Sequence, residues 1–541
     1  MSGRIAWLAR RAARILCVLL LGAGPAWAAD APIPRIVTHD GRHALLVDGK
    51  PFLILGAQVN NSSAWPAMLA DVWPAIEQMH ANTVEVPMAW GQVEPQEGHF
   101  DFSFLDTLLH QARAHHVRLV LLWFGTWKNT SPNYAPSWVK LDNRRFPRVI
   151  TRDGRMLNVL SPYAKSTLDA DRTAFVAFMT HLRKVDGARH TVIMVQVENE
   201  SGMYGNDRDY SDAANHLFDG PVPAALLQAL GKSPGNWTQV FGKDAAVDFS
   251  AWSISHYINQ IAQAGKAVYD LPMYANAALR DPLKPGPPGS YPSGGPSDNV
   301  IPIWRATAPS LDLVAPDIYF PDYARYMAVL DHYARADNPL FVPETGNAAA
   351  YARYVYAVLG HGAIGFSPFG MDFTRYTNYP LGASAKDGAA RVAPFAPSYR
   401  VLESVDRILA QASFDGRLWG ASEPTATHEQ TLDLGAWKVR LGYGQPQFGE
   451  VPPKGNPSPE GGALIARLAP NEYLVTGRNV RVSFEPGAGH KGIHFLYDHV
   501  EEGHYQHGHW VFRREWNGDQ TDYGLNFTDQ PTVLRVRLGT Y

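Results

Sequence analysis

Two glutamates carry the chemistry this sequence can do. Thr191-Val192-Ile193-Met194-Val195-Gln196-Val197-Glu198-Asn199-Glu200 is an apolar, β-branched run that stops at two carboxylates and an amide. Pro339-Leu340-Phe341-Val342-Pro343-Glu344-Thr345-Gly346-Asn347 has the same form, a short apolar run ending in one glutamate. A strand covered by helices on both faces needs no polar alternation. A carboxylate at its end stands at the carboxyl mouth of a sheet or barrel, where α/β enzymes keep their chemistry. Two such glutamates suggest a paired-carboxylate site, and glycoside hydrolysis is the commonest reaction that uses one. Retention of configuration requires the pair to stand about 5–5.5 Å apart. One carboxylate attacks the anomeric carbon, while the other protonates the leaving oxygen and then activates water.

The neighbours distribute the roles. Asn199 can bind the sugar hydroxyl beside the anomeric carbon, a contact that strengthens in the transition state. Glu200 is then the acid/base, its pKa raised by burial and by the second carboxylate. Glu344 is the nucleophile, kept ionised by local hydrogen bonds. Glu198 shares a strand with Glu200, and the period of two points both the same way; a structural ion pair is expected for it. Asn60, Trp90, Trp127, Asn276 and Tyr319 fall at or just past strand ends and are the further candidates to touch substrate. Trp127 with Lys128 leads them, because an indole face stacks on a pyranose ring. His504, His507 and His509 with Glu501 and Glu502 lack a clear fourth ligand, so no metal is expected. No Gly-rich phosphate loop opens a helix and no Ser occupies a hydrolase elbow, so no cofactor is expected either.

Eight alternating units must position these residues. Strands are expected at 52–58, 82–87, 117–124, 191–200, 272–276, 311–319, 339–344 and 363–369. Helices are expected at 67–79, 104–114, 174–184, 249–269, 323–335, 348–359 and 401–410. Alternation implies parallel strands with right-handed crossovers, and eight units favour a closed (β/α)8 TIM barrel over an open sheet. Long connections at 125–165, 201–248 and 277–300 follow strands three to five. Loops of this length are usually functional, and these read as the walls of a cleft. Ahead of the barrel, Val47-Asp48-Gly49-Lys50 is a hairpin turn. From about 415, alternating runs such as Val480-Arg481-Val482-Ser483-Phe484 predict antiparallel strands with one wet face. The chain therefore divides into an export segment at 1–29, a catalytic barrel with a short lead-in at 30–414, and a smaller all-β, sandwich-like domain at 415–541.

Composition narrows the function classes. With 45% hydrophobic and 18% charged residues the chain is globular, and an aromatic content of 11% suits a sugar cleft. Arg4, Arg10, Arg11 and Arg14 precede the apolar run from Ile15 to Leu21, and Ala26-Trp27-Ala28 offers a cleavage site, the pattern of a secretory signal peptide. The flanks of Arg10-Arg11 match a twin-arginine signal poorly. The mature chain is expected to be exported, either periplasmic or secreted, with no integral membrane segment. Its one cysteine, Cys17, lies in the leader, which excludes a thiol nucleophile and a Cys-based zinc site from the mature protein. The formal charge of −3 makes no case for nucleic acid. A neutral carbohydrate substrate is the natural partner, and a homodimer is within expectation.

Val195-Gln196-Val197-Glu198-Asn199-Glu200-Ser201-Gly202-Met203-Tyr204-Gly205 resembles the acid/base segment of family 35 glycoside hydrolases, the β-galactosidases. Gly56-Ala57-Gln58, Trp90 with Glu94-Pro95, and Gly98-His99-Phe100-Asp101-Phe102 look like that family's barrel start. The similarity covers most of 40–410, and the C-terminal part looks like the small β domain of a bacterial subset. The resemblance implies a retaining, exo-acting β-galactosidase with Glu200 as acid/base and Glu344 as nucleophile. The bacterial subset suggests galactosyl side chains of plant polysaccharides such as xyloglucan. Two departures bear on the sugar: Thr126-Trp127 stands where many members have Glu-Trp, and Pro87 where many have Tyr. Release of another sugar (β-glucose or arabinose) therefore stays open, as does a carbohydrate-binding barrel that has lost catalysis.

Overall fold

The computed structural model describes residues 31–444 and 452–541. The export segment expected over 1–29, with Cys17, lies outside the described residues. Three short lead-in strands, Arg35–His39, Arg42–Val47 and Lys50–Phe52, form an antiparallel sheet. Both of its turns use left-handed residues, Asp40-Gly41 and Asp48-Gly49, as two-residue hairpins require.

Eight parallel strands then close into a barrel in chain order: β1 Ile54–Gln58, β2 Thr83–Ala89, β3 Arg118–Lys128, β4 Val192–Asn199, β5 Met273–Ala278, β6 Leu313–Ile318, β7 Val342–Thr345 and β8 Gly365–Pro368. The strands carry the β-branched, aliphatic and aromatic residues that suit a pleated, doubly covered surface. Their side chains divide by parity. Leu119, Leu121 and Trp123 of β3 pack outward in the large core shared with the helices. Val120, Leu122 and Phe124 join Ile54, Met194, Tyr274, Leu313 and Phe341 inside, where Leu45, Val47 and Phe52 of the lead-in close the floor. Gly56 is held to glycine because a Cβ there would lie 1.9 Å from Ser367 Oγ on β8. Toward the mouth the buried side chains turn polar: Gln58, Glu85, Gln196, Asn276, Asp317, Glu344 and Ser367.

The crossover helices present apolar stripes to this sheet. Leu69–Met79 buries Leu69, Val72, Trp73, Ile76 and Met79 and stops at His80 in the left-handed region. The fourth crossover, Lys165–Asp186, is about twice the length the sequence suggested. Its extra turns carry Asp171, a fully buried carboxylate.

The C-terminal part is two antiparallel sheets. Leu418–Ser422, Gly462–Ala469, Glu472–Arg478, Thr532–Thr540, Phe495–Gln506 and His509–Glu515 form the larger; Glu429–Asp433, Trp437–Tyr443, Val480–Pro486 and Leu525–Phe527 form the smaller. A second core of Trp437, Val439, Leu441, Ile465, Val475, Val482 and Val536 lies between them. The other face of the larger sheet is not wet, as alternation alone suggested. Leu464, Ala466, Leu474 and Val533 join the core of the barrel helices, because the sheet leans on Tyr354–Gly360 and Asp406–Phe414. Among the described residues no helix is long and apolar enough to cross a membrane.

Candidate active site

A cavity of about 860 Å³ opens at the carboxyl mouth of the barrel, and Glu200, Asp317 and Glu344 stand in its wall. One carboxylate oxygen from each lies within 4.8 Å of the other two. In glycosidases the two carboxyl groups stand about 5–5.5 Å apart where configuration is retained and about 6.5–9.5 Å apart where it is inverted. Glu344 lies near the end of β7. Its Oε1 accepts from the Tyr319 hydroxyl at 2.5 Å and its Oε2 from Gln58 Nε2 at 3.0 Å. Both oxygens of the Glu344 carboxylate are thus held by side-chain donors from other elements.

Glu200 follows the last residue of β4 and sits in the left-handed region at φ 45°. Such strain in a non-glycine residue persists only where surrounding structure holds it. Here the Glu200 N–H donates to Asn276 Oδ1 at 3.0 Å, and Thr130 N–H donates to the Glu200 carbonyl at 3.1 Å. Burial pushes the Glu200 carboxyl above its ordinary value; Lys128 opposes this and Glu344 reinforces it. An acid/base needs a proton to give at working pH, and the upward shift lies in that direction.

Asp317 completes the group. Burial, and then the charges of Glu344 and Glu200, push it well above the carboxylate range. Asn276 Nδ2 donates to its Oδ2 at 2.6 Å, while its Oδ1 is buried with no partner among the described residues. A protonated Asp317 can donate to Glu200. The sequence reading missed it, although Ala315-Pro316-Asp317-Ile318-Tyr319 places it two positions before Tyr319 and hence on the same face. Glu85 was missed as well: it is fully buried in the barrel, pushed up by burial, and accepts a 3.4 Å bond from Tyr274.

The remaining expected residues separate. Tyr319, Lys128 and Asn60 line the cavity, with the Asn60 amide anchored to Asp372 Oδ1 at 2.8 Å. Asn276 lies beneath, bridging the Glu200 backbone and Asp317. Asn199 is fully buried, and neither atom of its amide has a partner among the described residues. Trp127 is not at the cleft. It is 1% exposed, its Nε1 donates to Leu160 O at 3.1 Å, and its ring packs on Tyr257. Trp90 is also buried, donating to Glu94 Oε2 at 2.8 Å and meeting Trp138 edge-on.

Glu198 departs furthest from expectation. Val195 and Val197 face the helices, so alternation would aim Glu198 into the barrel. Its φ of 64° turns it outward instead. There it accepts the N–H groups of Thr126 at 3.1 Å and Trp127 at 2.6 Å beside Asp171, with no ion pair among the described residues. Of the cavity walls, the loops after β3, β4 and β5 contribute Asn129, Tyr204 and Pro292. A fourth wall, Thr374, Tyr376, Asn378 and Leu381, comes from the segment after β8. In the C-terminal domain Glu502 is occupied by Arg513, Arg514 and Trp516, and Glu501 by Trp510. Among the described residues only Glu200, Asp317 and Glu344 could converge on one metal ion.

Comparison with known proteins gives two family matches. A glycoside hydrolase family 42 model described as beta-galactosidase matches residues 62–257, and one described as a domain of unknown function (DUF5597) matches 395–528. The matched enzyme family is thus 42, whereas the motifs resemble family 35. A beta-galactosidase of Xanthomonas manihotis is 28% identical over 223 residues, covering 36% of this chain and 35% of that protein. The chain spans about a third of the length of this relative. Among solved structures, a beta-galactosidase of Marinomonas ef1 aligns over 67% of this chain and 62% of its own at 11% identity and a TM-score of 0.48. One from Halorubrum lacusprofundi aligns over 66% and 62% at 16% identity and a TM-score of 0.47.

Proposed function

We propose that this protein is a retaining glycoside hydrolase that releases terminal β-galactosyl residues, with Glu344 as nucleophile and Glu200 as acid/base. The carrying observation is the approach of their carboxylate oxygens to within 4.8 Å in one cavity wall. Glu344, held by Tyr319 and Gln58, attacks the anomeric carbon as Glu200 gives its proton to the glycosidic oxygen. The glycosidic bond breaks and a glycosyl ester forms on Glu344. Glu200, now ionised, takes a proton from water; the hydroxyl adds to the anomeric carbon and Glu344 leaves. Asn199, whose buried amide one residue before Glu200 has no partner among the described residues, takes the adjacent sugar hydroxyl in this reading.

Galactose is supported by the family 42 match and by the family 35 motifs. Exo-action and xyloglucan side chains as natural substrate rest on the family 35 resemblance, and export rests on the leader sequence. One observation favours keeping a second sugar in view. Thr126-Trp127 is buried and Pro87 borders a different hollow, so neither position where the sequence departs from family 35 supplies a sugar contact.

The test is hydrolysis of an aryl β-galactoside by the mature protein and by Glu344→Ala and Glu200→Ala. Release by wild type, silence of Glu344→Ala, and formation of β-galactosyl azide by Glu200→Ala in azide are the expected results. Cleavage of the 4-epimeric glucoside alone would replace the sugar and keep the mechanism. Inactivity on every glycoside would sink the proposal and favour a binding protein.

A further inference from the structure

The end of β3 contains an irregularity that the proposed mechanism does not use. Trp123 pairs with Val197 and Lys128 with Asn199, so Phe124 to Trp127 bulge opposite the single residue Glu198. A bulge leaves backbone N–H groups without ladder partners, and buried N–H groups must find others. Two carboxylates supply them. Thr126 N–H donates to Asp171 Oδ2 at 2.8 Å and Glu198 Oε1 at 3.1 Å, and Trp127 N–H to Glu198 Oε2 at 2.6 Å. Asp171 also accepts from Thr126 Oγ1 at 2.6 Å and Trp123 Nε1 at 2.8 Å. Thr126 Oγ1 and the Tyr257 hydroxyl lie 2.7 Å apart. Both acids are buried, and among the described residues neither meets a cation.

We infer that Asp171 and Glu198 are positioning residues that share one proton and clamp the β3 bulge, thereby fixing where Lys128 meets Glu200. Two buried carboxylates on one N–H cannot both be charged, because burial and like charge each favour the protonated form. The proton between them converts repulsion into a hydrogen bond. Burial, followed by the Asp171 charge, keeps the Glu198 carboxyl well above its ordinary range. The clamp also dictates a neighbour: a Cβ on Gly125 would lie 2.6 Å from Asp171 Oδ2 and 2.6 Å from Glu198 Oε1. Lys128, one residue beyond the gripped Trp127, lines the cavity and opposes the upward shift of Glu200. The titratable groups facing Glu200 are Lys128 on β3, Glu344 on β7, Asp317 on β6, and Tyr319 and Tyr204 from loops. Lys128 is the one cation of that set, and the clamp holds its strand.

This inference rests on the proposed hydrolase reading, so it is tested by one readout that needs activity and one that does not. The first is amide hydrogen exchange over 124–129. Glu198→Ala and Gly125→Ala should accelerate exchange there by roughly tenfold or more, the scale of losing a bond to a charged group. Asp171→Asn should lose protection as well, since its amide must turn a donor onto either Thr126 N–H or Trp123 Nε1–H. Unchanged exchange in both Glu198→Ala and Gly125→Ala overturns the clamp, whether or not the protein hydrolyses any glycoside. The second is the alkaline limb of kcat/KM, which tracks the Glu200 proton. Glu198→Ala and Gly125→Ala should move it to higher pH, in the direction of Lys128→Met, and Glu198→Ala should move it no further in the Lys128→Met background. A limb that stays in place while thermal stability falls would reduce the pair to a purely structural role. An inactive wild type with the predicted exchange pattern would discard the hydrolase reading and leave the clamp standing.

Discussion

The hydroxyl of Tyr319 is the group on which the proposed nucleophile depends most directly. It donates to Glu344 Oε1 at 2.5 Å, and the only other side-chain donor to that carboxylate among the described residues is Gln58 Nε2. Burial, and then the Glu344 charge, push the phenol well above its ordinary value, so it stays protonated and keeps donating at any working pH. Tyr319→Phe removes one donor and leaves the ring. A hydrogen bond to a charged group is worth about 1.5–3 kcal/mol. At about 1.36 kcal/mol per factor of ten in rate, losing that hold should lower kcat/KM by about 10- to 100-fold. The sign follows from the geometry: a carboxylate free to turn about its last bond spends less time aimed at the anomeric carbon. Gln58 still holds Oε2, so the variant should fold and retain measurable turnover. Initial rates on an aryl β-galactoside are the assay. A kcat/KM at the wild-type level would refute the idea that Tyr319 positions the nucleophile.

Three other predictions follow from single features of the structure. Glu200→Ala should lose about 10²–10⁴-fold in rate on substrates with poor leaving groups and much less on an activated aryl glycoside; equal losses on both would remove Glu200 from the acid role. Trp127→Phe should lower thermal stability, since Leu160 O loses its 3.1 Å donor at about 1–3 kcal/mol, while KM stays within about twofold for a residue that never meets sugar. A large rise in KM would return Trp127 to the cleft. Asp248 is raised from 3.8 to about 7, first by burial and then by Asp244. The folded chain thus holds a proton that the unfolded chain loses, and stability should fall as pH climbs through the window from about 4 to 7. Asp248→Asn should remove that decline, worth up to about 4 kcal/mol at neutral pH, and denaturant melts of the two proteins below pH 4 should coincide.

The barrel was legible because its strands repeat one simple signal. Eight apolar runs separated by helical stretches admit few topologies once crossovers are right-handed, and each run proved to be a strand of one closed sheet. Glu344 was legible for the same reason, and so was Tyr319. What the one-dimensional pattern could not show was the long range. The fourth wall of the cavity comes from residues after β8 that carry no strand or helix signal, and it closes on the site only because β8 is the neighbour of β1. Alternation in the strands past 415 predicts one wet face, but Leu464, Ala466, Leu474 and Val533 on that face are covered by the barrel helices.

The misreadings at 123–128 and 198 have one cause. Period-two reasoning assumes continuous pairing, and pairing breaks where β3 bulges against β4. Once four residues oppose one, the indole of Trp127 rotates into the core and Glu198 turns outward to meet the N–H groups the bulge exposes. A sequence scan sees a tryptophan and a carboxylate near a catalytic glutamate and gives the first to the substrate and the second to an ion pair. Burial decides otherwise, because an unpaired backbone donor in the core costs more than a sugar contact returns. The backbone at Glu200 is left-handed as well, at φ 45°, a conformation that regular alternation would not predict. The residues that best define the site's geometry are thus ones whose side chains never enter it.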